Sequence, residues 1–222
     1  MKIKQLLNQL GLQEYIAFDF ETTGLSPDGD RIIEIAAIKY VDGEPIDRFV
    51  SLVNPERQID PFITDITGIS DKMVKGKPIE LDILDDFLEF LSDKPLVAHN
   101  ISFDKNFLDK ICERYEKPKK NNLLFDTLQL SRTLLFFHPV HNLGSISEYF
   151  GFSSTGSHRA EKDTENCGLI FQELIHEAAS YPLEIISKVL EVTSSINAPN
   201  TVSYTHLRAH ETDSYLVCRL LL

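Results

Sequence analysis

From Tyr15 the chain reads YIAFDF, then a polar, turn-rich ETTGLSPDGD, then RIIEIAAIKY, a VDGEP turn and IDRFVSLVNP. The aromatic and β-branched runs are strand-like, and Asp-Gly pairs at Asp28-Gly29 and Asp42-Gly43 mark reversals, so three antiparallel neighbouring strands are predicted. After a loop through Pro61, Leu81, Leu84, Leu88 and Leu91 recur at helical spacing with acids between them, which predicts an amphipathic helix over 81–91. LVAHN follows as a short buried strand. Phe107, Leu108, Ile111 and Tyr115 carry a helical period over 103–115, residues 123–125 form a brief strand, and helices are predicted over 127–135, 143–150 and 160–179. A β-meander followed by alternating helices and strands predicts an α/β fold, a mixed sheet flanked by helices.

The 222 residues, 42% hydrophobic and 25% charged, suit one domain. The chain lacks the run of roughly 18 apolar residues that a membrane span needs, and MKIKQLLNQLGLQEY lacks the features of a secretory signal, so a cytoplasmic protein without membrane attachment is expected. Cys112, Cys167 and Cys218 have no paired spacing, which points away from a disulfide framework or zinc knuckle. A net charge of −12 argues against long-range capture of nucleic acid, yet clustered carboxylates that hold divalent metal would inflate that count. Local basic groups stand at Lys72, Lys75 and Lys77 and at Lys117, Lys119 and Lys120.

Residues Val202 to Leu222 read differently from the rest. Back-translated in one frame, VSYTHLRAHET matches a transposase mosaic end with a sequencing-adapter arm, and LVCRLLL matches a flow-cell end. The segment 202–222 is therefore expected to be non-native, and His206, His210 and Cys218 are not read as a metal site. Removing it takes away Arg208, Arg219, Glu211 and Asp213, which leaves the net charge unchanged at −12. The natural chain is expected to continue past Asn200, with 179–200 an extra helix or linker toward a following part and 1–14 an N-terminal segment.

Candidate chemistry lies in three places. Asp19 and Glu21, two apart on a predicted strand, point to one face. Two such carboxylates are costly to keep ionised without a cation, and magnesium or manganese is the usual one. Thr22, Thr23 and Gly24 make a tight polar turn beside them. Asp104 follows LVAHNISF, with Ser102 as a suitable helix cap, and falls in a first helical turn where an acid is favourable in any case. His158 and Asp163 open the long helix in GSHRAEKDTE. Five residues at about 100° each put them on different faces if both are helical. Asp163 on rigid helix suits a metal ligand, and His158 on the glycine-containing loop before it suits a general base.

FDFETTGL, VAHNISFDKNFL and HRAEKDTE, in that order and on the expected elements, resemble the proofreading-exonuclease family: the DEDDh group of the ribonuclease H-like superfamily, which includes the epsilon subunit of bacterial replicative polymerase. The resemblance runs from about Tyr15 to about Ile175, and an exonuclease domain over 15–178 is expected. It implies a five-stranded mixed sheet, three antiparallel strands followed by parallel ones. It also implies a 3′→5′ exonuclease releasing nucleoside 5′-monophosphates from single-stranded or frayed DNA ends. Asp19, Glu21, Asp104 and Asp163 would bind two magnesium or manganese ions, and His158 would be the base. Thr22, Thr23 and Gly24 would meet the terminal nucleotide, with His99, Asn100 and Phe103 on its far side; DITGISD would place Thr67, Gly68 and Ile69 on the terminal base. The partner implied is a nucleic acid with a 3′ end, and the larger assembly a polymerase or a fused helicase of the DinG type. An RNA-directed exonuclease and a nucleic-acid-binding recruitment module remain open on the residues alone.

Overall fold

A computed structural model describes residues 2–153 and 159–182, together with Glu184, Ile185 and Lys188. In chain order its elements are α1 (Ile3–Leu10), β1 (Glu14–Thr22), β2 (Ile32–Val41), β3 (Glu44–Leu52), α2 (Pro61–Thr67), α3 (Asp71–Val74) and α4 (Glu80–Leu91). There follow β4 (Leu96–Ala98), α5 (Ile101–Arg114), β5 (Leu124–Asp126), α6 (Thr127–Leu134), α7 (Leu143–Tyr149) and α8 (Ala160–Ser180). The strands form one sheet in the order β3-β2-β1-β4-β5. β1 runs antiparallel to β2, and β2 to β3, while β4 is parallel to both β1 and β5. This is the five-stranded mixed sheet expected.

Alternation along β1 divides the core. Tyr15 and Ala17 face one layer with α1, α6, α7 and α8, while Ile16, Phe18 and Phe20 face the other with α4 and α5. The β2–β3 reversal sits at Asp42-Gly43, where both residues take positive φ, 55° and 91°, as a two-residue hairpin of strand-matching twist requires. Asp28-Gly29 instead lies inside a longer β1–β2 loop, closed by Gly29 and Asp30 N–H bonds to the Ser26 carbonyl.

Helix α8 is seated closely on β1 and β2. The Tyr15 and Tyr40 rings stack at 4.9 Å, and a Cβ on Gly168 would lie 2.5 Å from the Tyr40 ring, so a side chain there would displace the helix. The Gln172 amide donates to the Tyr15 hydroxyl (2.9 Å) and to the Gly43 carbonyl (2.8 Å), tying the same helix to the hairpin. These contacts fix how α8 presents its N-terminal turn to the end of β1.

Three elements lie where sequence periodicity marked none. α1 occupies the segment read as an N-terminal extension and adds Leu6 and Leu7 to the α8 side of the core. α2 and α3 lie within the stretch read as a loop, too short for a helical period to show. Asn100, in the left-handed region at φ 70°, precedes α5, so the helix opens at Ile101 and Ser102 is not its cap. Among the described residues no helix is long and apolar enough to cross a membrane. The readings of 202–222 and of the segment beyond Lys188 lie outside the described residues.

Candidate active site

Asp19 and Glu21 continue the odd-numbered face of β1, the face that α8 covers, and Asp163 stands in the first turn of α8. One carboxylate oxygen from each of the three lies within 4.8 Å of the others. Asp104 joins from the opposite layer. It is 2% exposed, in the first turn of α5, and its Oδ1 accepts the Phe20 N–H at 3.1 Å, the backbone group between the two β1 acids. Pairing of β1 with β2 slips between Glu21 and Thr22, ending the regular ladder just past the site.

The electrostatics are those of crowded, desolvated acids. Burial, then the charges of Asp104, Glu21, Asp163 and Glu34, pushes the Asp19 carboxyl well above the usual carboxylate range. Burial, with Asp163 and Glu34, pushes Glu21 up to about 7 against the pull of Arg159. Burial likewise raises Asp104, although the Phe20 N–H favours its charged form. Hard carboxylate oxygens that converge with no hydrogen-bonded lysine or arginine on Asp19 or Glu21 among the described residues fit a divalent cation. His158 lies outside the described residues; α8 begins at Ala160, with Arg159 at its cap position.

The neighbouring residues are placed more variously. Thr22 is buried, its hydroxyl donating to the Gly24 carbonyl at 2.6 Å. Thr23 donates to Asp30 Oδ1 at 3.0 Å, and a Cβ on Gly24 would lie 2.5 Å from Asp30 Oδ2, so a side chain there would push the Asp30 carboxylate aside. Ile69 is fully buried with Ile33, Ile59 and Val74, and its side chain belongs to that small core rather than to an exposed base-contact surface. Thr67 is buried too and bonds the Ile63 carbonyl (2.9 Å), while Gly68 is exposed at the left-handed end of α2. Both ring nitrogens of His99 are engaged, by Thr127 Oγ1 and the His141 carbonyl, each at 2.9 Å, and burial holds its pKa below the usual histidine value. Asn100 is exposed, and Phe103 packs on Phe107 at 5.0 Å.

Sequence reasoning passed over two features here. Leu25, directly after Gly24, is 84% exposed, signalled only by an apolar residue inside a polar turn. Glu34 stands opposite Glu21 in the β1–β2 register and is 1% exposed, signalled by a lone acid within the apolar run IIEIAAI.

The model of the exonuclease family matches residues 16–171. The chain belongs to the exonuclease family. This exonuclease is 37% identical over 187 residues to the PolC-type DNA polymerase III of Bacillus subtilis, a match that covers 84% of the chain and 13% of that protein. It is 41% identical over 166 residues to the PolC-type DNA polymerase III of Latilactobacillus sakei, covering 75% of the chain and 12% of that protein. Among solved structures, Exonuclease X in complex with 5′-overhanging duplex DNA aligns over 79% of the chain and 98% of its own, at TM-score 0.59 and 23% identity. E. coli Exonuclease I with a dT13 oligonucleotide aligns over 81% of the chain and 43% of its own, at TM-score 0.69 and 17% identity. These two carry the fold. The resemblance to the proofreading-type 3′–5′ exonucleases is borne out, and the chain is an enzyme of the 3′–5′ exonuclease class. The exonuclease spans roughly an eighth of the polymerases it matches.

Proposed function

We propose that this exonuclease releases nucleoside 5′-monophosphates from single-stranded or frayed DNA 3′ ends, as a proofreading module of a PolC-like polymerase. The observation that carries the reading is the convergence of Asp19, Glu21 and Asp163 within 4.8 Å. Asp104, hooked onto the Phe20 N–H beside them, completes the acidic set. These four side chains would hold two magnesium or manganese ions. When bound, such ions lower the pKa of an attacking water and neutralise charge on the phosphate and the leaving 3′-oxygen.

The chain's own residues supply the rest. His158 accepts the proton of the attacking water, a role suited to a histidine that stands in sequence just before a metal-binding helix. Asn100 and Gly68 are exposed, and Leu25 offers an exposed apolar surface against a sugar and a base face. Contacts of this kind do not read base edges, so low sequence preference follows. Similarity to DNA polymerases favours DNA over RNA as substrate and a polymerase over a helicase as the larger assembly. A cytoplasmic location suits that role.

The test is a 5′-labelled single-stranded DNA incubated with the chain and magnesium or manganese, against EDTA. Stepwise shortening from the 3′ end with release of mononucleotides, lost in EDTA, is the expected result. A matched RNA oligomer degraded faster than the DNA would overturn the substrate assignment, and cleavage undiminished by EDTA would overturn the metal-bound acids.

A further inference from the structure

The first turn of α8 has an unusual cap. An N-cap residue is ordinarily Ser, Thr, Asp or Asn, whose side chain satisfies an N–H of the first turn. Here the position is Arg159, which makes no capping bond within the helix. The acceptor comes instead from strand β2: Glu34 Oε2 receives the Ala160 N–H at 3.0 Å. The same carboxylate receives Arg159 Nε at 3.2 Å and Nη2 at 2.6 Å, a two-toothed pairing. Glu34 is buried and lies directly across from Glu21, so the two side chains share a sheet face.

We propose that Glu34 is a positioning residue for the exonuclease reaction, fixing from β2 the start of α8 and so the placement of Asp163 against Asp19 and Glu21. Geometry favours this over a role in stability alone. The strand pair carrying Asp19 and Glu21 is the pair that grips α8, three residues before Asp163. Both Glu34 oxygens are engaged, which keeps a further carboxylate near the site without adding a competing ligand. The inference rests on the proposed role of Asp163.

The test uses the full chain and three variants, Glu34→Ala, Glu34→Gln and Arg159→Met, with kcat and KM on single-stranded DNA, manganese affinity by titration, and Tm. A displacement of about 1 Å in a catalytic group costs on the order of 100-fold. The expected result is a kcat fall of about that size for Glu34→Ala, with KM for DNA little changed and manganese bound more weakly. Glu34→Gln, which keeps an acceptor for Ala160, and Arg159→Met should fall less. Combining Glu34→Ala with Arg159→Met should cost no more than Glu34→Ala alone. Variants that are folded at the assay temperature yet keep wild-type kcat and manganese affinity would overturn the proposal, whatever their Tm. If Glu34→Ala does not fold, the two milder variants decide by the same readings. If the unaltered chain proves inactive, the proposed function fails, and the manganese titration still tests whether Glu34 sets the acidic site.

Discussion

Carboxylates are withdrawn from water at two places in this chain, and the two are treated oppositely. Glu80, 4% exposed at the start of α4, accepts the Ile32 N–H at 3.1 Å and the Tyr115 hydroxyl at 3.4 Å, and pairs with the Arg114 guanidinium. Every group around it compensates its charge. The Asp19 carboxylate has no hydrogen bond or ion pair among the described residues, and the neighbours that act on it are themselves acids. A desolvated charge left unpaired is costly, so its persistence beside three more acids is intelligible when a bound cation supplies what the protein withholds. Glu34 lies between these extremes: close enough to raise Asp19 and Glu21, but held by Arg159. Burial alone thus does not mark the active site; burial without a cation does.

The contrast is broken most severely at Asp19. Asp19→Asn should abolish metal-dependent exonuclease turnover, while Tm measured in EDTA at neutral pH should rise, because a neutral amide avoids the cost of desolvating or protonating a carboxyl crowded by Glu21, Asp104 and Asp163. Retained turnover would remove Asp19 from the metal-binding set. A fall in Tm would mean that its charge is compensated after all.

The largest effect on stability should be set by pH. The Glu21 pKa is raised by folding, from 4.5 to about 7, and Asp19 and Asp104 are shifted in the same direction. A carboxyl raised in this way binds protons more readily in the folded state, so its stabilising contribution is complete below the unfolded pKa and is lost as pH rises through the folded one. Without metal, Tm should therefore fall between about pH 4.5 and 7. Added manganese should restore it most at the upper end of that window, with protons released on binding. A metal-free Tm that climbs through the same window would show that the site acids are paired.

At Glu80 the comparison is tested from the other side. Glu80→Ala strips a buried partner from Arg114 and an acceptor from Ile32, and a broken buried pair of this kind costs about 3 kcal/mol. The loss should be visible in chemical denaturation, with kcat kept at a temperature where the variant is folded. A collapse of kcat in the folded variant would mean that Glu80 is coupled to the site.

How much of this was legible beforehand follows the range of the forces involved. The aromatic and β-branched run of 15–20 and the helical spacing of 81–91 are local, so β1 and α4 could be read from the chain. The site acids could be read because each motif carries its own element: Asp19 and Glu21 on one strand face, Asp104 in a first helical turn. Their convergence depends on α8 crossing β1, which no local pattern contains. Glu34 was hidden for the same reason, since a lone acid in IIEIAAI becomes intelligible only when Arg159, 125 residues away, arrives at 2.6 Å. Gly24 and Ile69 show the reverse case. A motif suggests a substrate contact, while the structure adds a packing role that the motif does not show: Gly24 lies close against the Asp30 carboxylate and Ile69 fills a core with Ile33, Ile59 and Val74.

The smallest of these effects should sharpen the comparison, because it touches no carboxylate. A Cβ at Gly168 meets the Tyr40 ring at 2.5 Å, and Tyr40 is stacked on Tyr15 and fully buried, so neither ring has free space to yield. Gly168→Ala must therefore lift α8 or tilt the tyrosine pair, an overpacking that costs about 1–3 kcal/mol even after the helix gains from alanine. Lifting α8 also moves Asp163 relative to Asp19 and Glu21. If the acidic site is held by packing as well as by the Glu34–Arg159 grip, manganese should bind more weakly to Gly168→Ala and kcat should fall together with Tm. If only Tm falls, the packing of α8 and the geometry of its first turn are separable, and the grip at Glu34 alone sets the distance between Asp163 and the two β1 acids.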